Sequence, residues 1–133
     1  MACPWFFPLE RLGSAESILP LGDVWGGECR APGMEPAAPE RSALLRHCNL
    51  GYARGACRRI PAHGADAVRF AVARDEAGAV SLCCVLERDY LPYGRADLRY
   101  DVEAGRFTEP HPELMLARQA RAYLESYLLR KRS

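Results

Sequence analysis

Between residues 66 and 107, apolar and polar side chains alternate with period two, and the alternation restarts after each of several short turns. Successive side chains of a strand point to opposite faces, so this pattern buries one face of a sheet and wets the other. Val68, Phe70 and Val72 form one apolar row. Asp75-Glu-Ala-Gly78 turns the chain, and Val80, Leu82, Cys84 and Leu86 form the second row. Asp89-Tyr-Leu-Pro-Tyr-Gly94 turns it again. Ala96, Leu98, Tyr100 and Val102 then lie opposite Arg95, Asp97, Arg99 and Asp101, and Glu103-Ala-Gly105 leads into Arg106 and Phe107. Alternating runs joined by short turns predict an antiparallel meander of three to four strands with one wet face. By parity Cys84 faces the core and Cys83 faces away, so these neighbours do not readily serve one metal. The mixed signs at 95–101 read as a solvated face.

A helix is expected over 112–131. Pro112 and Glu113 open it, and Ala117, Ala120, Leu124 and Tyr127 or Leu128 form one apolar stripe. Arg130, Lys131 and Arg132 complement its dipole. A shorter helix is expected within 35–51. Pro36 and Pro39 suit its first turn, and Ala43, Leu44 and Leu45 are its buried candidates. Asn49-Leu50-Gly51 fits a helix C-terminus with Gly51 in the left-handed region. Residues 1–34 are rich in proline and glycine and show no periodic segment. They also hold Trp5, Phe6, Phe7, Leu21 and Trp25, which is too apolar for disorder. They read as an ordered arm pinned by aromatics. The fold class is therefore α+β: a meander packed on a C-terminal helix, with a cysteine-bearing N-terminal arm and short helix across one end. A chain of 133 residues suits a single domain. It divides into arm, short helix and loop (1–65), meander (66–107) and helix (112–131).

The formal net charge of +1 provides no long-range pull toward nucleic acid. No apolar run approaches the roughly 20 residues a membrane span needs, and the first residues lack a signal peptide's basic region and long apolar core. A cytoplasmic, soluble protein is expected, and in that setting thiols stay reduced. Six cysteines then read as metal ligands or buried thiols rather than disulfides.

Four of the six lie outside the meander: Cys3, Cys29, Cys48 and Cys57, separated by 25, 18 and 8 residues. Gly51 and Gly55 let the Cys48–Cys57 loop fold tightly and turn backbone N–H groups toward the sulfurs. Arg54 lies in the same loop, and Arg30, Arg46, Arg58 and Arg59 each lie within two residues of one of these cysteines. Four thiolates suit zinc or an iron–sulfur cluster. Zinc sites usually include a short Cys-x2–4-Cys knuckle, and none is present. A 4Fe–4S cluster accepts ligands from separate loops, and its negative charge suits nearby arginines. The expectation is a small metalloprotein whose Cys3, Cys29, Cys48 and Cys57 hold a 4Fe–4S cluster, with Gly51, Gly55, Arg54 and Arg58 around it. The cluster would serve structurally, or in electron transfer or sensing with a redox or regulatory partner. The alternatives are a zinc-stabilised interaction module and a metal-free binding domain with plain buried thiols.

Cys3-Pro-Trp-Phe6, Gly27-Glu-Cys-Arg-Ala31 and the whole Cys48–Cys57 loop resemble stretches of small, uncharacterised bacterial cysteine-containing proteins. The resemblance implies that these four cysteines belong together, and it carries no activity. No phosphate loop, dinucleotide fingerprint or nucleophile elbow is present. His63 could be imagined as a base for Cys57, but nothing in their spacing favours it.

Overall fold

The computed structural model describes residues 2–14, 19–53, 56–57, 59–60 and 64–132. Strands β1 (Phe6–Gly13) and β2 (Val24–Cys29) form a two-stranded antiparallel ribbon. One α-turn, α1 (Arg41–Ala43), continues as a π-helical segment over Leu44–Cys48. Strands β3 (Ala67–Glu76), β4 (Ala79–Arg88), β5 (Leu91–Asp101) and β6 (Arg106–Phe107) form the antiparallel meander in sequential order. Helix α2 (Leu114–Arg132) follows.

The meander realises the period-two pattern. Val68 pairs with Leu86, Phe70 with Cys84 and Val72 with Leu82, and across the next ladder Val80 pairs with Tyr100 and Leu82 with Leu98. The apolar rows are thus direct cross-strand neighbours on the core face. Cys84 is buried there and Cys83 is half-buried on the other face. Val102 departs from the expected row: it lies past the end of β5 and is exposed. The first hairpin turns on Ala77 and Gly78, both at positive φ, the geometry that matches the strand twist. The second uses Asp89 and Tyr90, at φ 52° and 66°. The six-residue turn expected at 89–94 shrinks to these two. The Asp89 N–H donates to the Asp66 carboxylate at 2.7 Å, and the Tyr90 ring stacks on Tyr52 with centroids 4.3 Å apart. These contacts hold two non-glycine residues in a disfavoured conformation.

The N-terminal arm is a ribbon, not an irregular strap. Its alternation is hidden because Gly26 and Gly27 sit in β2 and the pairing shifts register near Pro8 and near Gly13. Gly27 is required: a Cβ there would lie 2.1 Å from the Phe7 carbonyl oxygen. The short helix is also smaller than expected. Leu44 is buried, but Leu45 is exposed, because neighbouring residues of a helical turn face different sides.

Helix α2 ties the ribbon to the meander. Glu113 caps it, its carboxylate accepting from the Leu116 N–H at 2.9 Å. Ala120 and Leu124 are buried as the stripe predicts, but Gln119, Ala122 and Ser126 are buried too. The buried surface is wide because both sheets use it. Toward the ribbon, Gln119 Nε2 donates to the carbonyls of Cys3 and Phe6, and the Trp25 indole N–H donates to Ser126 Oγ at 3.1 Å. Toward the meander, Tyr123 stacks on Phe70, and Tyr127 and Lys131 bind the Asp75 carboxylate. Ala2 completes the join by exchanging two 2.8 Å backbone bonds with Val68. One core cluster therefore runs from Phe6, Leu21 and Trp25 through Leu124 to Phe70 and Leu82.

Asp23 sits at the ribbon–helix seam, with Arg11 Nε 2.7 Å and Arg130 3.4 Å from its oxygens. Burial alone would raise its pKa. Hydrogen bonds from Arg11 and Ser126 and the charges of Arg11 and Arg130 outweigh burial and hold it below the ordinary 3.8. A depressed carboxyl stabilises the fold fully above its unfolded pKa, and loses that contribution as pH falls through the lower folded value. Asp23→Asn is therefore expected to lower the melting temperature near neutral pH and to shrink the further loss below pH ~4. Thermal melts across the acid range check this. A variant as acid-sensitive as the parent would show that another carboxylate governs that limb.

A candidate four-cysteine site

Each of the four cysteines outside the meander is placed by a different piece of local structure. Cys3 follows the Ala2–Val68 pairing. Its N–H donates to the Cys48 carbonyl at 3.0 Å and its carbonyl accepts from Gln119. Cys29 ends β2 opposite Phe6 and exchanges backbone bonds with Ala37 at 2.8 and 3.2 Å. Cys48 ends the π-turn. Asn49 then anchors that turn to β2, accepting from the Trp25 N–H and donating to the carbonyls of Trp25 and Leu44 at 2.9–3.0 Å. Cys57 closes a turn by donating its N–H to the Ala53 carbonyl at 2.8 Å.

All four line one cavity of about 230 Å³, whose walls include Trp5, Phe6, Pro39 and Ile60. The sulfurs are near enough to sense one another electrostatically. Burial is the main force pushing the Cys3 thiol from 9.0 up to about 12, and negative charge on Cys29 and Cys57 adds to it. Backbone hydrogen bonding from Trp5 and Phe6 acts the other way. Cys48 is also pushed up to about 12, by burial first and then by Cys3, Cys29 and Cys57. Four thiolates in this apolar chamber thus require a compensating positive charge. Arg59 provides one at the edge: its Nε donates to Cys29 Sγ at 3.1 Å and its terminal nitrogen donates to the Glu35 carbonyl. The Trp5 indole N–H is buried and finds no acceptor among the described residues.

Of the other expected site residues, Arg54, Gly55 and Arg58 lie outside the described residues, as does His63. Gly51 adopts φ 71° and donates its N–H to the His47 carbonyl, ending the helical segment. It acts by placing Cys48 and does not line the cavity. Arg30 is engaged with Glu28 and the face of Phe7. Trp5, Phe6 and Ile60 belong to no site motif in the sequence. The available signal was the Cys-Pro-Trp-Phe string itself, where apolar bulk flanks a cysteine. Cys83 and Cys84 stand apart on the meander, Cys84 packed between Phe70 and Ala96.

Among the described residues, no three histidine, cysteine, aspartate or glutamate side chains are placed to hold a single metal ion. No described helix is long and apolar enough to cross a membrane. No family model matches the chain, and no curated protein or solved structure shows significant similarity to it.

Proposed function

We propose that Cys3, Cys29, Cys48 and Cys57 ligate a 4Fe–4S cluster that serves electron transfer or sensing and braces the ribbon against the helical turn. The carrying observation is that four sulfurs from four separate segments line one apolar chamber. The preference for a cluster over zinc rests on the cysteine spacing, which contains no short Cys-x2–4-Cys knuckle. Arg59 on Cys29 is the kind of outer contact that stabilises cluster thiolates. Cys29 and Cys57 are half-exposed, which sets one side of the centre near the surface where a redox partner could reach it.

The test is anaerobic purification, or reconstitution with ferrous iron and sulfide, followed by metal and sulfide analysis. The expected product is brown, carries about four iron and four sulfide per chain, and shows the thiolate-to-iron absorption of such clusters. Colourless protein with one zinc per chain would replace this reading with a zinc-stabilised interaction module. Colourless protein free of metal would leave four plain thiols.

A further inference from the structure

Strand β5 pairs with β4 along its length but meets β6 only at Tyr100 and Asp101. The Arg99 carbonyl accepts from the Thr108 N–H at 2.9 Å on the side away from β4. Backbone groups of alternate residues point the same way, so Arg95 and Asp97 aim their N–H and C=O groups outward as well. Among the described residues no strand covers them. A row of unpaired backbone groups is a template for another strand.

We propose that this edge binds the same edge of a second copy of the chain, antiparallel and centred on Ala96, so that two meanders become one continuous sheet. Two independent observations select that partner and register. The first is the extent of the open edge. At one end Tyr93 is the extra residue of a register shift between Leu86–Gly94 and Glu87–Pro92, and Pro92 lacks an N–H. At the other end Arg99 is already bonded to Thr108. The free window therefore runs from Gly94 to Leu98, and its midpoint is Ala96.

The second is charge. In a pairing centred on Arg95 that residue faces its own copy, and one centred on Asp97 sets Asp97 against Asp97 and Arg95 against Arg99. Centring on Ala96 places Arg95 opposite Asp97 of the second copy, twice by symmetry. Both side chains are about two-thirds exposed, at 67% and 70%, and they already attract each other within one chain at 3.1 Å. Each pair would exchange two backbone hydrogen bonds. On the core-facing side Ala96 meets Ala96 and Gly94 meets Leu98, so the small residues allow close approach. Backbone bonds hold the copies together, and the charges reject wrong registers and wrong partners.

The experiment is light scattering of the full-length chain over a wide concentration range, with two charge reversals and their combination. The wild type is expected to dimerise. Arg95→Asp and Asp97→Arg each replace attraction with repulsion at both pairs, and should raise the dimer dissociation constant at least about tenfold. R95D/D97R restores complementarity and should restore the dimer. Amides of residues 95 and 97 should also exchange more slowly as concentration rises. Circular dichroism verifies that these surface variants fold. A wild type that stays monomeric, leaving its edge for a strand of another protein, overturns the proposal. A dimer that the single reversals do not weaken overturns it too, because the contact then lies elsewhere.

Discussion

Replacing Asn49 with leucine is expected to lower stability by about 2–4 kcal/mol, a large share of what a domain this size holds. Asn49 is fully buried, and its amide satisfies three backbone groups at once: the N–H and C=O of Trp25 and the C=O of Leu44. Leucine shares asparagine's branching but is bulkier and apolar, so some overpacking is expected. Most of the loss would come from the Trp25 N–H and C=O left unpaired in the core, at about 1–3 kcal/mol for each group so stranded, whereas the Leu44 carbonyl keeps the backbone N–H of residue 49. The same bonds fix the end of the π-turn against β2, one residue from Cys48. Iron binding should therefore fall even under conditions where Asn49→Leu remains folded. Asn49→Asp gives a second reading. It keeps an acceptor for Trp25 N–H but turns a carboxylate toward two carbonyl oxygens, so it should be no better than leucine. Leu50→Ala, at an exposed neighbour, should do little. Urea denaturation gives the stabilities, and a leucine variant within about 0.5 kcal/mol of the parent would deny Asn49 this anchoring role.

The meander was legible because its information is local. Period-two alternation over 66–107 and turn residues such as Ala77-Gly78 fix which side chains share a face, and pairs such as Phe70–Cys84 follow from register. Helix α2 was legible for the same reason, through Ala120 and Leu124. The ribbon was not. Gly26 and Gly27 carry no side chain to mark a face, and the register shifts break the alternation that would otherwise identify β1. Gln119, Asn49 and Ser126 were invisible as core residues, because amides and hydroxyls are usually surface groups. Each is buried beside a specific partner on a distant element: the Cys3 and Phe6 carbonyls for the Gln119 Nε2, the Trp25 backbone for Asn49 and the Trp25 indole for Ser126. The four cysteines could be grouped from the sequence but not brought together by it. Their convergence depends on Phe6 pairing with Cys29, on Ala2 pairing with Val68 and on Cys3 meeting the Cys48 carbonyl, none of which leaves a local mark.

Serine substitution of single cysteines is expected to divide the six into three classes. Cys3→Ser, Cys29→Ser, Cys48→Ser and Cys57→Ser should each lose most of the bound iron and the brown colour, since an alcohol is a poor replacement for a thiolate on iron. Cys84→Ser should lower stability, because it sets a hydroxyl among Phe70, Leu82 and Ala96 in the core, but should keep its iron. Cys83→Ser, half-buried on the outer face, should change neither. Iron retention and thermal stability thus vary independently across the set, which separates a ligand from a thiol that merely packs. Cys3 and Cys48 are the critical pair. Both are buried, so plain core thiols at these positions would also destabilise the fold when changed to serine. A cluster predicts more: in the wild type all four thiols should resist alkylation in the native protein, and Cys29 and Cys57 should become reactive when a chelator removes the iron, while Cys3 and Cys48 stay slow because they remain buried. Cys29 and Cys57 that react equally fast before and after the chelator would be two half-exposed thiols above an apolar chamber, and no four-thiolate centre would stand.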